Sequence, residues 1–536
     1  MAATDRLSGL PDDLLASVIS FLPTREAART AALSRRRRPL WLRTDAINLD
    51  TSYYRRTIRD YHVKDRLLRD ARAALGATGR CTVRKLSMLV AGPSADDLKD
   101  DYYYYTPKRS SDTYDLTASL LATPALRQIE ELHAGIVVPM PVPQQNKQEE
   151  DAHRVYELDP AKLPGHTLRV LDLARCHLES SPGTTAFPRL ATLRLCKCSS
   201  TTTDLEDIIR AAPTLGSLHI ESHTYFGRSK DDTRCQNFVP HCPSLTTLTL
   251  TLPDDGETTI KRIELDAPRL RALRYDGLLV EFSMKSPASE LEQADLTLGR
   301  TTYGVSDWSA TYGSLLRCLR QAKVLRLKVP EIMGIAGVQV TLHRLERLDF
   351  EVPYKSCNAC PIDDAAGAMA DLFQCFPVIH DLRIRILPHP PAANVPLQDF
   401  DVSMYLFEKR DSEEMAPLMF DDGFGSTLVL PELPSLTGSL GSHLKNVRLE
   451  FELTQQSIFE VCLAKFFAEN CMDLEVLEVD DGKQWFFAHI GWTVERWRAK
   501  ALEQSKQMER NSNVEAMQTG KREMDGDVQH NLKNKS

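Results

Sequence analysis

A chain of 536 residues is longer than one hydrophobic core usually organises, so we expect more than one domain or a repeat architecture. Residues 1–90 hold 18 Lys and Arg against 9 Asp and Glu, a net charge of +9. Because the net charge of the whole chain is −8, the remaining residues carry −17. This uneven charge argues against a nucleic-acid binder along the whole chain. No run of 18 apolar residues is present that would predict a membrane-spanning helix.

The first residues lack the apolar segment of a secretory signal, so we expect a protein of the nucleus, the cytoplasm or both. In these reducing compartments the 12 cysteines are expected to be thiols. Cys357 and Cys360 form a lone Cys-x-x-Cys pair without a second pair at zinc-finger spacing, and we expect no metal site. The four arginines at 35–38 are typical of a nuclear import signal or of a solvated helix face, and their place in a helical block favours the second.

The amino-terminal segment predicts a block of three short helices. Pro11 can open a helix at Asp12, whose carboxylate complements the positive end of the helix dipole. Apolar residues at three- and four-residue steps then form a stripe that ends at Pro23. A second helix is expected over 25–33 and a third over 35–43. So small a block buries little apolar surface, so we expect it to complete its core against a partner or the next domain.

This block resembles the F-box of large plant families from Leu10 to Trp41. The resemblance is carried by Leu10-Pro11-Asp12-Asp13-Leu14-Leu15, Ile19-Ser20-Phe21-Leu22-Pro23, Ala27-Ala28-Arg29-Thr30, Leu33-Ser34-Arg35-Arg36 and Leu40-Trp41. One position departs from the plant pattern, because Arg37 stands where an aromatic residue usually follows Ser-Arg-Arg. The alternative interpretation is an ordinary helical cap over the rest of the protein.

A short Leu-x-x-Leu-x-Leu unit recurs along the rest of the chain. Clear copies begin at Leu168, Leu190, Leu215, Leu245, Leu345 and Leu474. Weaker copies begin at Val83, Ile129, Leu270, Leu291, Ala322, Ile379 and Leu444. Between 168 and 345 successive copies start 21 to 31 residues apart, close to the period of roughly 20–29 residues in leucine-rich repeats.

The last two apolar positions of each unit alternate with outward residues, as a strand with one buried face requires. Because one unit cannot bury its apolar face alone, we expect neighbouring units to stack into a parallel sheet. The predicted fold class is therefore α/β, with a short three-helix F-box followed by an irregular leucine-rich-repeat solenoid whose parallel sheet lies on the concave face. The variable unit lengths and the absence of a fixed Asn resemble the irregular repeats of plant F-box proteins.

The predicted domain boundaries follow these patterns. The segment from Phe459 to Asn470 and the repeat after it resemble the ending of plant F-box proteins with an FBD-type region, although any capped terminal repeat would have the same pattern. The domains are an F-box at 5–45, a connector and first repeat at 46–115, the solenoid at 116–480 with insertions near 139–155 and 388–434, an FBD-like end at about 440–480, a helix at 481–502 and a disordered tail at 503–536.

Sequence motifs of catalysis are absent: there is no phosphate loop, no nucleophile elbow and no His-Glu-x-x-His. We expect a non-catalytic protein without cofactors. The resemblance implies the substrate-recognition subunit of an SCF-type E3 ubiquitin ligase, in which the F-box docks a Skp-type adaptor and, through it, a cullin, while the repeats bind an unknown target protein. The alternative is a leucine-rich-repeat interaction scaffold with a decayed F-box and no ligase role, which Arg37 keeps open.

The resemblance places the adaptor contacts on apolar residues of the F-box. These are Leu10, Pro11, Leu14, Leu15, Ile19, Leu22, Pro23, Leu33 and Trp41. For the target, the repeats predict a surface of outward strand positions that alternate with the buried leucines. The candidates are Asp172, Arg194, His219, Thr249, Arg274, Arg326 and Asp349. We expect no nucleic-acid, membrane or metal partner.

Overall fold

The computed structural model describes residues 9–50, 63–77, 82–91, 120–137, 156–179, 186–225, 237–252, 260–299, 308–354, 362–388, 443–452, 458–471, 473–480, 494–508 and 510. The insertion predicted near 139–155, the one predicted after 388, and the Cys357–Cys360 pair lie outside the described residues. The chain divides into two compact units, one of residues 1–292 with 301–303 and one of residues 293–300 with 304–536.

Strands outnumber helices in the described part of the chain, and in the first unit several strands follow one another without an α-helix between them. The helices are α1 (Asp12–Ile19), α2 (Thr24–Arg29), α3 (Val63–Leu75), α4 (Thr202–Arg210), α5 (Trp308–Cys318), α6 (Ile362–Gln374) and α7 (Ile458–Asn470). The strands of the first unit are β1 (Ala46–Asp50), β2 (Lys85–Ala91), β3 (Glu131–Val137), β4 (Tyr156–Leu158), β5 (Val170–Ala174), β6 (Cys176–Leu178), β7 (Thr192–Cys196), β8 (Ser199–Ser200), β9 (Ser217–Glu221), β10 (Thr224–Tyr225), β11 (Asn237–Phe238), β12 (Thr247–Thr251), β13 (Arg262–Leu265), β14 (Ala272–Leu278) and β15 (Glu281–Met284). Those of the second unit are β16 (Gln293–Gly299), β17 (Val324–Lys328), β18 (Arg347–Tyr354), β19 (Asp381–Pro388), β20 (Asn446–Phe451) and β21 (Val476–Asp480).

Each unit is built on a parallel sheet. In the first unit the strand order is β1-β2-β3-β5-β7-β9-β12-β14, and in the second it is β16-β17-β18-β19-β20-β21. The first unit also holds two smaller parallel sheets, β10-β8-β6-β4 and β11-β13-β15. The predicted α/β class with a large parallel sheet is therefore confirmed, and its winding as a solenoid with a concave face stays a prediction.

Every predicted repeat copy coincides with a strand of these sheets. The apolar positions of the copies are buried, apart from Leu477 on β21, which is half-buried. Among the described strands of the two main sheets, β1 has no predicted copy, because a buried threonine takes the first apolar position of its Thr44/Ile47/Leu49 unit. The seven strands of the two smaller sheets have no copy either. Strict period-two alternation therefore located the strands wherever the motif was apolar throughout.

A repeated backbone contact fixes the register between neighbouring repeats. The carbonyl of the residue before each strand accepts two amide N–H groups from the next repeat. The Glu130 oxygen lies 2.7 Å from the Arg169 nitrogen and 3.0 Å from that of Val170, and the Arg169 oxygen lies 2.8 and 3.0 Å from the nitrogens of Ala191 and Thr192. These bonds satisfy the backbone where each repeat turns into its strand.

The amino-terminal block differs from the prediction in its third segment. Residues 35–39 form turns, and only Leu40–Leu42 is helical there, as a single 3-10 turn. Pro39 lacks an N–H and its ring would clash with the carbonyl four residues earlier, while four adjacent positive charges add repulsion. The expected third helix over 35–43 is therefore wrong.

The carboxy-terminal part of the second unit has the expected helix followed by a strand. α7 precedes β21, and the Phe467 ring of α7 packs edge-on against Phe373 of α6, with ring centroids 5.9 Å apart. Residues 494–508 are helical, so the described helix continues past the predicted boundary at 502.

A buried carboxyl group in α7 makes the stability of the fold depend on pH. Glu460 is 6% exposed, and burial raises the pKa of its carboxyl from 4.5 to about 7. The folded state therefore holds the proton more tightly than the unfolded state, so stability falls as pH rises from about 4.5 to 7 and stays lower above.

Glu460→Gln should remove this loss. We expect the free energy of unfolding at pH 8 to rise by about 3 kcal/mol, with no difference near pH 4, where both states of the wild type are protonated. Urea denaturation at the two pH values measures this. An equal effect of the substitution at both would contradict the assignment.

Candidate functional site

The amino-terminal block has a small core of its own. Its buried residues are Leu15, Ile19, Ala27 and Leu40, with Leu10, Leu22 and Trp41 packed against them. Five of the nine predicted adaptor contacts thus take part in internal packing. Leu15 and Ile19 are only 5% and 6% exposed, and their role as adaptor contacts stays a prediction.

A separate set of apolar side chains of the block is exposed. Leu14 and Val18 are 50% and 49% exposed, and Phe21, just after α1, is 79% exposed. Their spacing of four and three residues puts them on one side of the helix, about 100° around its axis from the buried residues. We call Leu14, Val18 and Phe21 the exposed α1 face. Leu33, a predicted contact, is also exposed, at 66%.

Val18 and Phe21 were not among the predicted adaptor contacts because the sequence prediction treated the apolar residues of α1 as one stripe. The stripe contains two faces, with positions 15, 19 and 22 turned inward and positions 14, 18 and 21 turned outward. The helical period could have separated them, since residues three or four apart share a face and adjacent residues do not.

The two predicted proline contacts lie at helix starts. Pro11 is exposed and precedes α1, where its carbonyl accepts the first helical bond from the Leu15 N–H at 3.0 Å. Pro23 is half-buried and, with Trp41, lines a cleft of about 290 Å³ beside β1. Both prolines are therefore positioned by the local backbone.

Arg36 ties the arginine run to the start of α1. Its Nε donates to Asp12 Oδ1 at 2.8 Å, and its Nη2 donates to the Leu10 carbonyl at 2.6 Å. Both side chains of the ion pair are more than two-fifths exposed, so the pair contributes at most about 1 kcal/mol. Arg37, at the position that departs from the plant pattern, donates its backbone N–H to Ser34 Oγ at 3.2 Å.

Asn48 of β1 clamps the block onto the first strand. Its Nδ2 donates to the carbonyls of Ser20 and Leu22 at 2.6 and 3.0 Å, and its backbone N–H donates to Thr24 Oγ1 at 2.8 Å. The end of α1 and the beginning of α2 are thus bound to the sheet. These hydrogen bonds therefore hold the helix that carries the exposed α1 face in a fixed position against the sheet.

Asn48→Ala should loosen this connection. Two carbonyls lose their side-chain donor, and we expect a loss of about 2 kcal/mol in the free energy of unfolding. Ser87→Ala is the matched control, because Ser87 is the register partner of Asn48 on β2. Urea unfolding of both variants measures the difference, and equal midpoints would contradict the clamp.

Five of the predicted target contacts share one row on the sheet of the first unit. Asp172, Arg194, His219, Thr249 and Arg274 are successive register partners on β5, β7, β9, β12 and β14. All five are exposed or half-buried. The structure thus brings these side chains together as one outward line.

His133 of β3 extends this row and was missed by the sequence pattern. It is the register partner of Asp172, and its Nδ1 lies 3.1 Å from Asp172 Oδ2. The weak repeat copy at Ile129 could have found it, because His133 is the outward position of that copy.

The other two predicted target contacts lie in the second unit and pair with each other. Arg326 Nε donates to Asp349 Oδ2 at 3.2 Å across β17 and β18. Arg326 Nη1 also lies 3.7 Å from Asp295 Oδ2. Their charges are therefore largely compensated within the sheet.

Glu450 of β20 is the centre of a larger cluster on the same sheet. Arginine nitrogens of Arg383, Arg385 and Arg448 lie 2.6, 2.9 and 2.9 Å from its carboxylate. Its side chain is 15% exposed. Burial favours the neutral acid, but the hydrogen bonds and charges of Arg385 and Arg383 outweigh it and hold the pKa of Glu450 below 4.5.

Two classes of site have no candidate in the described part of the chain. No helix there is long and apolar enough to cross a membrane. No group of three or more His, Cys, Asp and Glu side chains among the described residues is arranged to hold a metal ion.

Comparison with known proteins finds a similarity between the repeats and a plant family. Residues 117–284 match the family model described as "FBD-associated F-box protein At5g56370, LRR repeats". In this region the chain is similar to the leucine-rich repeats of plant FBD-associated F-box proteins. The matched residues include β3, β5, β7, β9, β12 and β14, so the strands that carry the outward row lie within the matched region.

Short segments of the chain also match curated proteins of Arabidopsis thaliana. It is 54% identical over 46 residues to the putative FBD-associated F-box protein At3g12840, covering 9% of this chain and 25% of that one. It is 48% identical over 46 residues to the F-box/FBD/LRR-repeat protein At5g22700, covering 9% and 10%. It is 31% identical over 86 residues to the F-box/LRR-repeat protein At4g14103, covering 16% and 23%.

The matched part of the chain spans a quarter or less of the length of these relatives. Together with the repeat match, they confirm the resemblance to plant F-box/leucine-rich-repeat proteins of the FBD subfamily.

Proposed function

We propose that this protein is the substrate-recognition subunit of an SCF-type E3 ubiquitin ligase. The observation that carries the proposal is the exposed α1 face, with Leu14, Val18 and Phe21 between 49% and 79% exposed on a block that has its own core. Contiguous apolar side chains of this size are unfavourable in water and are typical of protein interaction sites. Their place within the F-box-like segment supports a Skp-type adaptor as the partner, and through it a cullin.

The proposed adaptor contacts combine predicted and newly identified residues. Leu14, Leu33, Pro11, Val18 and Phe21 would contact the adaptor. The remaining predicted residues, Leu10, Leu15, Ile19, Leu22, Pro23 and Trp41, would support that surface from the core or the block's edge. This division follows from their exposure.

The proposed contribution to ubiquitin transfer is positioning. Holding a target near the activated ubiquitin carried by another subunit raises its effective concentration, which accelerates transfer without chemistry by the receptor. No residue of this chain is assigned a catalytic role. Such a complex would work in the nucleus, the cytoplasm or both.

The proposed target surface is the outward row of the first unit. Arg194→Glu combined with Arg274→Glu should change the set of proteins captured from plant extract, because both side chains are exposed on this surface, on β7 and β14. Quantitative mass spectrometry of captured proteins measures the change, and Arg271→Glu, outside the row, is the control. An unchanged set in the double variant would contradict the assignment.

Co-expression with a plant Skp-type adaptor tests the proposed function. We expect a one-to-one complex that remains together in size-exclusion chromatography. Failure to form it with a folded chain would contradict the ligase role and favour the alternative of a repeat scaffold with a decayed F-box, for which the Arg37 departure is the sequence observation.

A further inference from the structure

A polar cleft of about 630 Å³ lies at the edge of the first unit's sheet where the strands begin. Its walls include Arg84, Glu130, Arg169 and Ala191, which directly precede β2, β3, β5 and β7, and Arg189 on the approach to β7. This volume lies within the range of about 300–1,000 Å³ that is usual for small-ligand sites. The cleft is distinct from both the exposed α1 face and the outward row.

The cleft has a structural cause in the repeat. The residues that precede successive strands lie in register along this edge, joined by the paired backbone hydrogen bonds described above. Arg84, Glu130 and Arg169 have long side chains, whereas Ala191 and then Gly216 have almost none. The change from long to short side chains along this edge leaves room for the cleft, and the hydrogen-bonded backbone forms its base.

Guanidinium groups provide most of the side-chain hydrogen-bond donors of the cleft, and the amide of Gln128, which also lines it, adds two more. The hydroxyls of Thr167 and Thr214, which also line it, already donate to backbone carbonyls, at 2.7 Å to Ile129 and at 3.0 Å to Pro188. A hydroxyl has one hydrogen to donate. The arginines, with five donors each, therefore determine which ligand the cleft can bind.

The charge of the cleft is positive. Glu130 is shared by two arginines at the long end of ion-pair distance, 3.6 Å to Arg84 and 3.8 Å to Arg169. Both guanidinium side chains are more than three-fifths exposed. Among the described residues, no carboxylate lies within ion-pair distance of Arg189. Three positive charges against one negative charge leave a balance of +2 in a chain whose total is −8.

We propose that this basic cleft, defined by Arg84, Arg169, Arg189 and Glu130, binds a phosphate monoester. Such a group has a charge of about −1.5 to −2 at pH 7 and three acceptor oxygens, which matches the balance of charge and the planar donor forks of arginine. The phosphate can belong to a free small molecule or to a phosphorylated side chain of a protein. The proposal does not depend on the ligase role.

Calorimetric titration of the full chain tests the proposal with two probes. One is phenyl phosphate, and the other is a short peptide with a single phosphoserine; phenol and the unphosphorylated peptide are their controls. We expect binding of at least one phosphorylated probe that weakens with added salt. Preference for phenyl phosphate would indicate a free ester and preference for the peptide a protein ligand. No binding of either at millimolar concentration would overturn the proposal.

Three variants separate this site from general charge effects. Arg169→Gln with Arg189→Gln should weaken binding about tenfold or more, because hydrogen bonds to charged groups are lost. Glu130→Gln should tighten binding roughly threefold by removing the opposing charge. Arg271→Gln, at the same edge but paired with Glu290 at 2.9 Å, is the control and should bind as the wild type does.

Opposite effects of the arginine and Glu130 variants are the signature of an anion site. Equal affinities in all variants, or weaker binding in Glu130→Gln, would overturn the assignment. Thermal unfolding confirms that each variant is folded. Adaptor binding, measured on the same variants, should be unchanged, so failure of the proposed function and failure of the phosphate site give different results.

Discussion

Replacing Leu14 and Phe21 together by aspartate should weaken binding of a Skp-type adaptor by about 100-fold or more. Each substitution puts a charge into the centre of a proposed apolar contact, and central contacts of this kind contribute at least about 1.4 kcal/mol each. Both side chains are half or more exposed in the free protein, so the free energy of unfolding should change by less than about 1 kcal/mol. Surface plasmon resonance with purified adaptor measures the affinity.

Val476→Asp is the matched control for this variant. Val476 is 50% exposed on β21, so the substitution adds the same charge at an equally exposed apolar position far along the chain. We expect it to leave adaptor affinity unchanged. If the Leu14/Phe21 variant bound the adaptor with wild-type affinity, docking through the exposed α1 face would be contradicted.

Glu450→Gln should lower the free energy of unfolding by about 3 kcal/mol, because it leaves three guanidinium groups together without their shared carboxylate. Glu478→Gln is the control: among the described residues Glu478 has one ion-pair partner, Arg448 at 3.4 Å, and both side chains are 45% exposed. Its loss should stay below about 1 kcal/mol. Urea unfolding at pH 7 measures both, and equal losses would contradict a central role for Glu450.

The same cluster predicts a loss of stability in acid. The pKa of Glu450 is lower in the folded state than its ordinary value of 4.5, so its stabilisation is present above that value and is lost as pH falls through the folded pKa. Glu351, which accepts hydrogen bonds from Lys328 and Arg385, has a lowered pKa too. Glu450→Gln should therefore lose less stability than the wild type between pH 6 and pH 3. Identical acid profiles would show that Glu450 does not contribute to this loss.

The sheet was predictable from the sequence because its information is local. A strand with one buried face alternates apolar and outward residues over five positions, and each copy of the unit contains that alternation. The outward row followed from the same pattern, since Asp172 and Arg194 occupy the same place in successive units. β1 was missed because Thr44 replaces the first apolar residue of its unit.

Features that depend on which elements become neighbours were not predictable in this way. Glu450 lies 67 and 65 residues after Arg383 and Arg385, and only the adjacency of β19 and β20 brings them together. Asn48 likewise reaches back 26 and 28 residues to the carbonyls of Leu22 and Ser20. The basic cleft arises from side-chain sizes at one register position of several repeats, which no single unit reveals.

The exposed α1 face was only partly predictable from the sequence. The helical period determines that Leu14 and Val18 share a side, but which side is covered depends on packing against Leu40, from a segment wrongly expected to be a third helix. The sequence prediction therefore put adaptor contacts on this helix without separating its buried residues from its exposed ones.

Hydrogen–deuterium exchange of the full chain, with and without a plant Skp-type adaptor, tests the central claim most directly. We predict that the adaptor slows exchange in residues 12–33, around the exposed α1 face, and leaves the strands of the outward row unchanged. Absence of protection in 12–33, or protection confined to the repeats, would contradict docking through the amino-terminal block.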